Sequence, residues 1–367
     1  MSGTVRLVWG DAFMAYRLSE DHPLQPLRVK LAVDLIRELG LDAHAEVVPP
    51  RIATDQEIGL SHSPRYVELV RRLSDGTPLD SAAAAAGFGT PDNPVAPGMH
   101  DACAAIVGGS LVAAEAVHTG AALHAFNPAG GLHHASLDRA SGFCVYNDVA
   151  VAIAWLRARG HRVACVDVDV HHGDGTQALF YADPDVLTIS LHESGRYLFP
   201  GTGFPDECGV GAGRGASANV PLAPYTWDEP WLAAFDAVVP PLLRAFRPTI
   251  LVTQDGCDTH ALDPLAHLLG STGIWPHVGR CFHDLAHELC GGRWVATGGG
   301  GYAIREVVPR AWTLLFAAMV DRPDVAAGLV DTERYAPEPA ARDRVWSMLE
   351  RDLHRLSLEL EVELSLP

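Results

Sequence analysis

Short apolar runs alternate with longer segments of helical periodicity along most of the chain. The runs are rich in β-branched residues and nearly free of charge, as expected of strands buried on both faces. Strands are predicted at residues 122–126, 162–168, 186–191, 250–254 and 293–297. Amphipathic helices are predicted at residues 147–159, 230–246 and 280–289. This alternation predicts an α/β fold, with a central, mostly parallel sheet flanked by helices.

The remaining segments define the limits of the predicted domain. Residues 101–117 are apolar almost all round and predict a buried helix. Loops rich in Gly, Ala or Pro are predicted at residues 77–97 and 198–214. Residues 331–341 resemble a connector, and a final helix is predicted from about Arg342. We therefore expect one domain over residues 1–330 and a C-terminal helical extension over residues 331–367, packed on it or next to it.

The composition is typical of a folded protein without a membrane segment. Of the 367 residues, 48% are hydrophobic, which is enough for a sizeable core and excludes global disorder. No apolar run approaches the roughly 18 residues of a membrane-spanning helix. The start of the chain lacks the charged, apolar and cleavage regions of a signal peptide. We therefore expect a cytoplasmic location and no membrane partner.

Charge and cysteine content exclude several classes of protein. The formal net charge is −18, so a nucleic-acid partner is not expected and cationic partners, such as lysine-rich protein segments, are favoured. The seven cysteines are odd in number and form no CxxC pair, which argues against disulfides and against a cysteine zinc site. Lys30 is the only lysine, which excludes any mechanism that needs a catalytic lysine elsewhere.

The strongest candidate for chemistry follows the second predicted strand. Three carboxylates and two imidazoles occur within eight residues there, from Asp167, Asp169, Asp174, His171 and His172. If the strand continues, alternation places Asp167, Asp169 and His171 on one side. Oxygen and imidazole donors together suit zinc or ferrous iron. The alternative, a loop of helix-capping aspartates, would leave many charges close together without a partner.

Three further polar clusters follow other predicted strands. A glycine loop carries His133 and His134, which could be ligands, a general acid and base, or incidental surface residues. Asp258 could complete an Asp–His–Asp metal triad or cap a helix. Tyr302 follows four glycines and could donate to an oxyanion or pack at a helix start. Ligands of open parallel sheets bind at the carboxyl ends of strands, so the clusters are expected to meet there.

Taken in this order, the motifs resemble the zinc-dependent histone deacetylase superfamily, and most closely its class I-like bacterial branch, the acetoin-utilisation type deacetylases. The resemblance runs from about Asp21 to Ala318. It rests on residues 22–24, Arg28, 132–135, 141–144, 167–175, 199–203, 254–263 and 298–302. It implies an arginase-like open α/β fold with a parallel sheet of about eight strands. It also implies an amidohydrolase that removes acetyl groups from the lysine side chains of proteins.

The resemblance further implies a role for each candidate residue. The catalytic metal, Zn²⁺ or alternatively Fe²⁺, would be bound by Asp169, His171 and Asp258. The other catalytic groups would be His133, His134, Asp167, Asp174 and Tyr302. Among them, His134 would act as general base and then as acid, with His133 beside it as an electrostatic partner. Asp167 and Asp174 would orient the two imidazoles, and the Tyr302 hydroxyl would donate to the oxyanion.

Substrate and ion contacts follow from the same resemblance. The implied substrate-binding residues are Asp92, Gly142, Phe143, Phe199 and Leu265, with the two phenylalanines as walls of an apolar tunnel for a lysine stem. A structural K⁺ or Na⁺ ion would be bound by Asp167, Ser190 and the carbonyl oxygens of Asp169, His171 and Leu191. The partner would be an acetylated protein, with acetyl-CoA synthetase as the family expectation. The sequence leaves the oligomeric state open.

Three alternative functions are distinguished by particular residues. Leu265 stands where acetylpolyamine deacylases place a gating glutamate, which favours acyl-lysine over acetylpolyamines or other small acetyl-amines. An arginase-like binuclear manganese amidinohydrolase needs a second Asp-x-Asp motif, whereas Asp258-Thr259-His260 supplies one carboxylate. A non-catalytic acetyl-lysine reader would be expected to have lost Tyr302 or a metal ligand, and those positions are filled.

Overall fold

Eight parallel strands form one sheet at the centre of the computed structural model, which describes residues 4–366. The strands are β1 Val5–Val8, β2 Ala45–Val48, β3 His124–Asn127, β4 Val163–Asp167, β5 Val186–Glu193, β6 Ser217–Leu222, β7 Ile250–Gln254 and β8 Trp294–Thr297. Their order across the sheet is β2-β1-β3-β8-β7-β4-β5-β6. The α/β fold with a sheet of about eight strands, as the sequence and its resemblance implied, is confirmed.

The sequence pattern located five of these strands and missed β1, β2 and β6. The five are β3, β4, β5, β7 and β8, which lie inside the sheet and whose residues are all buried and mostly apolar. β1 also lies inside the sheet, but it has only four residues and carries the partly exposed Arg6. β2 lies at one edge of the sheet and is half exposed, so it tolerates Glu46. β6 lies at the other edge and contains Pro221, which a strand tolerates where it pairs on one side only.

Twelve α-helices cover the sheet within the described residues. They are α1 Leu27–Glu38, α2 Asp55–Ile58, α3 Pro64–Ser74, α4 Ser81–Ala85, α5 Met99–Thr119, α6 Asp148–Arg157, α7 Asp174–Phe180, α8 Asp228–Phe246, α9 Ile274–Cys290, α10 Val308–Met319, α11 Pro323–Ala326 and α12 Pro339–Leu360. The predicted helices correspond to α5, α6, α8, α9 and α12. Asn147 caps α6 as predicted, since its side chain accepts from the amide of Ala150 at 2.8 Å.

The expectation of an unstructured loop over residues 77–97 is wrong in part, because the loop contains α4. The side chain of Asp80 accepts from the amide of Ala83 at 2.8 Å and starts this short alanine helix. The flanking glycines and prolines hid it in the sequence. The predicted loop at residues 198–214 is irregular apart from a 3₁₀ turn at Gly211–Gly213.

Helix α5 changes one conclusion drawn from composition. By length and composition alone it could cross a membrane, contrary to the expectation that no apolar run is long enough. However, 78% of its most apolar window is buried inside the fold. It packs against α6 and β3, as a core helix does. Gly108 allows the backbone at Arg51 to approach the helix, and Gly109 allows Phe13 and Asn127 to do so, because a Cβ at either position would overlap these groups.

The C-terminal helix α12 packs on the edge of the sheet beside β6 and also contacts α8. Its apolar face buries Val345, Leu349, Leu353 and Leu356. On its polar side, Glu359 pairs with Arg214 at 2.8 Å. The division into a domain at residues 1–330 and an extension at residues 331–367 stays a prediction.

His62 supports the start of α6 from a buried position and is expected to make stability depend on pH. Its Nε2 accepts from the amide of Asn147 at 2.9 Å, so the ring is neutral. Burial lowers the pKa of His62 to about 4. The unfolded value is near 6.5, so the folded state binds fewer protons between these values. Stability is therefore complete above the unfolded pKa and is lost as the pH falls towards the folded one.

Between about pH 7.5 and about pH 5, the titration of His62 is expected to lower the free energy of unfolding by about 2 kcal/mol. Urea unfolding of the parent and of His62→Gln at about pH 7.5 and about pH 5 checks this. Gln keeps an acceptor for Asn147 but does not titrate, so the variant should lose less stability on acidification. An equal loss in both proteins would show that His62 does not titrate in this range.

Candidate active site

The carboxyl ends of five adjacent strands bring the sequence motifs together. In the sheet, Asn127 of β3 lies opposite Thr297 of β8, and Thr297 lies opposite Gln254 of β7. Gln254 lies opposite Asp167 of β4, which in turn lies opposite Ser190 of β5. Each of the four polar clusters begins at one of these residues or within three residues after it. The expected meeting of the clusters at this edge of the sheet is therefore what the topology produces.

Three buried side chains, Asp169, His171 and Asp258, gather their donor atoms at this edge. One donor atom from each lies within 4.8 Å of the other two. Nδ1 of His171 lies 3.1 Å from Oδ1 of Asp169 and 3.1 Å from Oδ2 of Asp258. The remaining oxygens are fixed by the protein, since Asp169 Oδ2 accepts from Gln254 Nε2 at 2.8 Å and Asp258 Oδ1 accepts from the Val170 amide at 2.9 Å.

The charges of this cluster fit a divalent cation. Burial and the nearby Asp169 carboxylate raise the pKa of Asp258 to about 7, because two carboxylates in one buried site repel each other. Burial alone would lower the pKa of His171. The carboxylates of Asp169 and Asp258 have the larger combined effect, and they raise this pKa to about 10. A bound divalent cation would neutralise the negative charge of both carboxylates. It would take over this task from the proton that His171 otherwise carries. Two oxygen donors and one imidazole nitrogen suit zinc or ferrous iron and leave positions open.

A close approach of backbone completes the cluster. The amide of Gly300 donates to Asp169 Oδ2 at 2.6 Å. A Cβ at Gly300 would overlap the carboxylates of Asp258 and Asp169, so only glycine allows this approach. Within the described residues, the metal donors gathered here are those of Asp169, His171 and Asp258, a set that suits one ion and not the two of a binuclear amidinohydrolase.

His133 and His134 form a linked pair beside the cluster. Nδ1 of His133 lies 2.7 Å from Oδ2 of Asp167, and Nδ1 of His134 lies 2.7 Å from Oδ1 of Asp174. The two Nε2 atoms are 3.1 Å apart. The ring centroids of His134 and His171 are 5.9 Å apart, which places the pair next to the donor set. The pairing implied by the resemblance is therefore the one that the side chains adopt.

The two imidazoles have opposite pKa shifts. Burial lowers the pKa of His133, but the carboxylates of Asp167 and Asp169 outweigh this and raise it to about 9. Burial and the neighbouring His133 lower the pKa of His134 to about 4. Near neutral pH the pair therefore combines a protonated His133 with a neutral His134. Such a pair offers a fixed positive charge and a free base side by side.

Two residues that the sequence analysis did not assign to the site hold the histidine loop. The side chain of Asn147 donates to the carbonyls of His133 and Ala135, both at 3.0 Å. The buried carboxylate of Asp148 accepts from the amides of Gly131 at 3.1 Å and Leu132 at 2.8 Å. The signal available was a polar pair at the start of an apolar helix, which helix capping alone explained.

Tyr302 lies at the end of the glycine loop, and buried groups fix that loop. Nη1 of Arg28 donates to the carbonyls of Gly299 at 2.6 Å and Gly301 at 3.1 Å. Asp263 Oδ2 accepts from the amide of Tyr302 at 2.7 Å. Burial, followed by the charges of the nearby carboxylates, raises the pKa of Tyr302 well above its ordinary value. The hydroxyl therefore stays protonated and able to donate.

Two aromatic side chains flank the approach to the site. Phe199 is 43% exposed, and its ring centroid lies 5.0 Å from that of His134. Phe143 contacts Tyr302 edge to face, with centroids 5.6 Å apart. Gly142 lies between these groups at a φ of 50°, and a Cβ there would overlap His134 and Phe199. The three residues predicted to line a tunnel are therefore brought together around the histidine pair.

The other predicted substrate contacts lie further out. Asp92 is exposed, and its carbonyl oxygen lies 3.3 Å from Nε2 of His22, whose ring packs edge-on against Phe143. Leu265 is half buried, and its amide donates to Oδ1 of Asp263 at 3.1 Å. Leu265 is thus linked to Tyr302 through Asp263, and Asp92 is linked to Phe143 through His22.

The residues predicted to bind K⁺ or Na⁺ follow β4 and β5. Asp167 and Ser190 are direct neighbours across these strands, and Leu191 follows Ser190. Oδ1 of Asp167 accepts from the amide of Asp169 at 3.2 Å, so this carboxylate connects the predicted cation site with the catalytic one. His171 completes the predicted set two residues further on. The binding of an ion there stays a prediction.

The loop that carries Phe199 is tied to the site by polar contacts that the sequence did not reveal. Nδ1 of His172 lies 2.8 Å from the hydroxyl of Thr202. Oε1 of Glu207 accepts from the amides of Gly203 at 2.9 Å and Phe204 at 3.0 Å. Through these contacts, His172 and the loop after Gly203 help to fix the position of Phe199 beside the site.

His260, to which the sequence analysis gave no role, supports the loop that carries Asp258 on the side away from the metal donors. Its Nε2 lies 2.7 Å from Oδ2 of Asp331, and its Nδ1 accepts from the amide of Leu262 at 3.0 Å. Asp331 also accepts from Arg310 at 2.5 Å. His260 therefore anchors the loop to the segment that precedes α12 and does not face the metal donors.

A parallel α/β sheet with an Asp–His–Asp metal donor set, a carboxylate-oriented histidine pair and a tyrosine at its strand ends defines a hydrolase of the metal-dependent amidohydrolase type. Comparison with known protein families identifies the family within this class. A model of the histone deacetylase domain matches residues 22–319. The chain belongs to the histone deacetylase family.

Several bacterial relatives match most of the chain. The acetoin utilization protein AcuC of Bacillus subtilis is 43% identical over 313 residues, which are 85% of this chain and 81% of the relative. The protein of the same name from Staphylococcus aureus strain MRSA252 is 41% identical over 317 residues, 86% of this chain and 82% of the relative. That of Staphylococcus xylosus is 39% identical over 321 residues, 87% and 83% of the two chains.

These matches confirm the resemblance seen in the sequence, including the acetoin-utilisation type. The chain is a deacetylase, a hydrolase of acetyl-lysine or related acetyl-amine groups, from a generally metal-dependent family. The particular substrate, the ion and the role of each residue are the subject of the proposal below.

Proposed function

We propose that the protein is a metal-dependent lysine deacetylase that removes acetyl groups from the lysine side chains of proteins. One Zn²⁺ ion, or alternatively Fe²⁺, would be bound by Asp169, His171 and Asp258. The observation that carries this proposal is the convergence of that donor set with the His133–His134 pair behind an approach flanked by Phe143 and Phe199.

Each group near the donor set has a chemical task in the hydrolysis of an amide. When bound, the ion would polarise the amide carbonyl and lower the pKa of a water molecule. Neutral His134 is the base that accepts a proton from this water as its oxygen attacks the carbonyl carbon. Protonated His133 offsets the negative charge that develops, and the Tyr302 hydroxyl donates to the carbonyl oxygen. His134 then returns its proton to the amine nitrogen as the C–N bond breaks, which yields the amine and acetic acid, and the acid then ionises to acetate by releasing its proton to solvent.

The carboxylates of Asp167 and Asp174 help to give His133 and His134 their different roles. Asp174 holds His134 through Nδ1, which leaves Nε2 as the atom that exchanges protons. Asp167 contacts His133 in the same way and is more buried than Asp174, whose side chain is 28% exposed. The more buried carboxylate favours the charged imidazole of His133, as its higher pKa indicates.

The apolar rings of Phe143 and Phe199 beside the site suit the polarity of an acetylated lysine. Acetylation neutralises the lysine head, so its four-carbon stem can be buried between Phe143 and Phe199 without loss of charge solvation. Asp92 is exposed beyond Phe143 and can accept from backbone amides of a bound protein segment. We infer an acylated protein as partner, with acetyl-CoA synthetase as one candidate.

A cytoplasmic location is part of this proposal. All seven cysteines are free thiols, as expected of a reducing compartment. The K⁺ or Na⁺ site at Asp167 and Ser190 belongs to the proposal as well. An ion there would fix the Asp167 carboxylate that orients His133.

The preference for acetyl-lysine over acetylspermidine tests the proposed substrate. Acetylspermidine would bring a secondary ammonium to the mouth of the site, where half-buried Leu265 offers no counter-charge. We expect kcat/KM for an acetyl-lysine peptide to exceed that for acetylspermidine at least about tenfold, equivalent to roughly 1.4 kcal/mol. Steady-state release of acetate from both substrates measures this ratio.

The variant Leu265→Glu should narrow or reverse that preference by supplying the missing charge. Leu265→Gln is the matched control, because it has nearly the same shape without the charge. A parent enzyme that prefers acetylspermidine would overturn the protein-lysine assignment in favour of a small acetyl-amine deacetylase. The metal-dependent mechanism would remain unaffected by that outcome.

A further inference from the structure

Three histidines meet at the edge of the sheet opposite the active site. His124 begins β3, and His283 and His287 lie one turn apart on α9. The active site follows the carboxyl end of β3 at Asn127, whereas His124 lies at its amino end. The cluster His124, His283 and His287, here termed the three-His site, is therefore separated from the catalytic residues by the length of the strand.

The three imidazoles face one another. One ring nitrogen from each residue lies within 4.8 Å of the other two. The ring centroids are 5.1 Å apart for His124 and His283, 5.2 Å for His124 and His287, and 4.6 Å for His283 and His287. Histidines at positions i and i+4 share one face of a helix, which is a common way to present two imidazoles to one metal ion.

His124 gives an independent sign of a ligand. It is only 3% exposed, and its Nδ1 is buried without a hydrogen-bond partner among residues 4–366. A buried polar atom without a partner lowers stability, so its retention calls for an explanation. Simple ring packing does not supply one, because an apolar aromatic residue would pack there without that cost.

The three-His site opens into a groove, which suits a metal ion that keeps a free coordination position. A groove of about 950 Å³ runs past His124, His283 and His287, with the acidic Glu46 and Asp321 on its lining. His287 is exposed and His283 half buried, so both side chains can rotate towards an ion. Neighbouring nitrogens on a tetrahedral zinc ion lie about 3.4 Å apart, which requires only such rotations.

We propose that the three-His site binds a second divalent transition-metal ion, of the class that imidazole favours, such as Zn²⁺. The ion would join β3 to α9 at the amino edge of the sheet. Water would complete the coordination. The site would be structural, because it contacts no residue of the catalytic centre.

Counting bound zinc tests this proposal. Metal-stripped protein is dialysed against Zn²⁺, and bound zinc per chain is measured by atomic mass spectrometry. We expect two ions in the parent and one in His287→Ala, whose exposed side chain can be removed without opening the core. His277→Ala is the matched control, since His277 is also exposed on α9 but pairs with Asp236 at 2.7 Å, and it should bind two.

Two further readouts separate this site from the catalytic one. Deacetylation by the parent, His287→Ala and His277→Ala should be equal, while zinc should raise the melting temperature of His287→Ala less than that of the parent. Asp258→Ala should lose one ion and keep the three-His one. A single ion in the parent that Asp258→Ala loses, or two ions in His287→Ala, would overturn the three-His proposal. Two ions in Asp258→Ala would instead overturn the catalytic donor set.

Discussion

Asp258→Ala is expected to lose the catalytic ion and with it essentially all deacetylation. Asp258 is one of three protein donors at the site, and its Oδ2 lies 3.1 Å from His171. Loss of a group that merely supports a ligand typically lowers metal affinity about 10- to 100-fold, and loss of a ligand should lower it further. Zinc content of the purified variant and acetate release from an acetyl-lysine peptide measure the two effects.

Asp255→Asn provides the matched control for this prediction. Burial raises the pKa of Asp255 well above its ordinary value, which favours the neutral carboxyl, and an amide is close to that form in shape and charge. Asp255 is as buried as Asp258 but does not belong to the donor set. The control should keep both zinc and activity. Full zinc occupancy of the catalytic site in Asp258→Ala would show that the donor set is wrong.

Tyr302→Phe is expected to keep the fold and the ion but to lower kcat by about 10²- to 10³-fold, the usual cost of one oxyanion donor. The ring would keep its contact with Phe143, and the amide of residue 302 would keep its bond to Asp263. Only the hydroxyl is removed. Single-turnover and steady-state rates, together with zinc content, separate loss of chemistry from loss of metal.

Tyr225→Phe serves as the control for removal of a hydroxyl, since Tyr225 is 49% exposed and is not part of the site. Its rate should equal that of the parent. Near-native turnover in Tyr302→Phe would mean that Tyr302 only packs against Phe143, and the oxyanion would then need another donor.

The central strands and the order of the motifs could be predicted because burial on both faces enforces an apolar composition. β7 was predicted with the bounds that it has, Ile250–Gln254, and each of the four polar clusters follows a strand that the pattern located. The edge strands escaped detection for the opposite physical reason. β2 and β6 each pair on one side only, so they carry polar residues or proline and resemble loops in sequence.

The donor residues could be predicted from the sequence, but the residues that hold them could not. Asp169 and His171 are close in sequence, and strand-end topology brings Asp258 to them. Asp148 and Arg28 position the histidine and glycine loops through hydrogen bonds to backbone groups distant in sequence. Such contacts depend on tertiary placement and leave no periodic signal.

The three-His site illustrates the same limit. His283 and His287 lie on a helix that the pattern predicted, so their i, i+4 spacing was visible. His124 is about 160 residues earlier in the chain and lies in a strand where an apolar residue would be expected. Only the packing of α9 on the sheet brings the third imidazole to the pair.

The metal dependence of acetate release from an acetyl-lysine peptide tests the proposed function most directly. Parent enzyme is stripped of metal, assayed, reloaded with zinc or ferrous iron, and assayed again beside Asp258→Ala treated in the same way. We expect the stripped parent to be inactive, the reloaded parent to release acetate, and the variant to stay inactive under both conditions. Undiminished activity of the stripped parent, or recovery of activity in reloaded Asp258→Ala, would contradict a mechanism that depends on an ion at Asp169, His171 and Asp258.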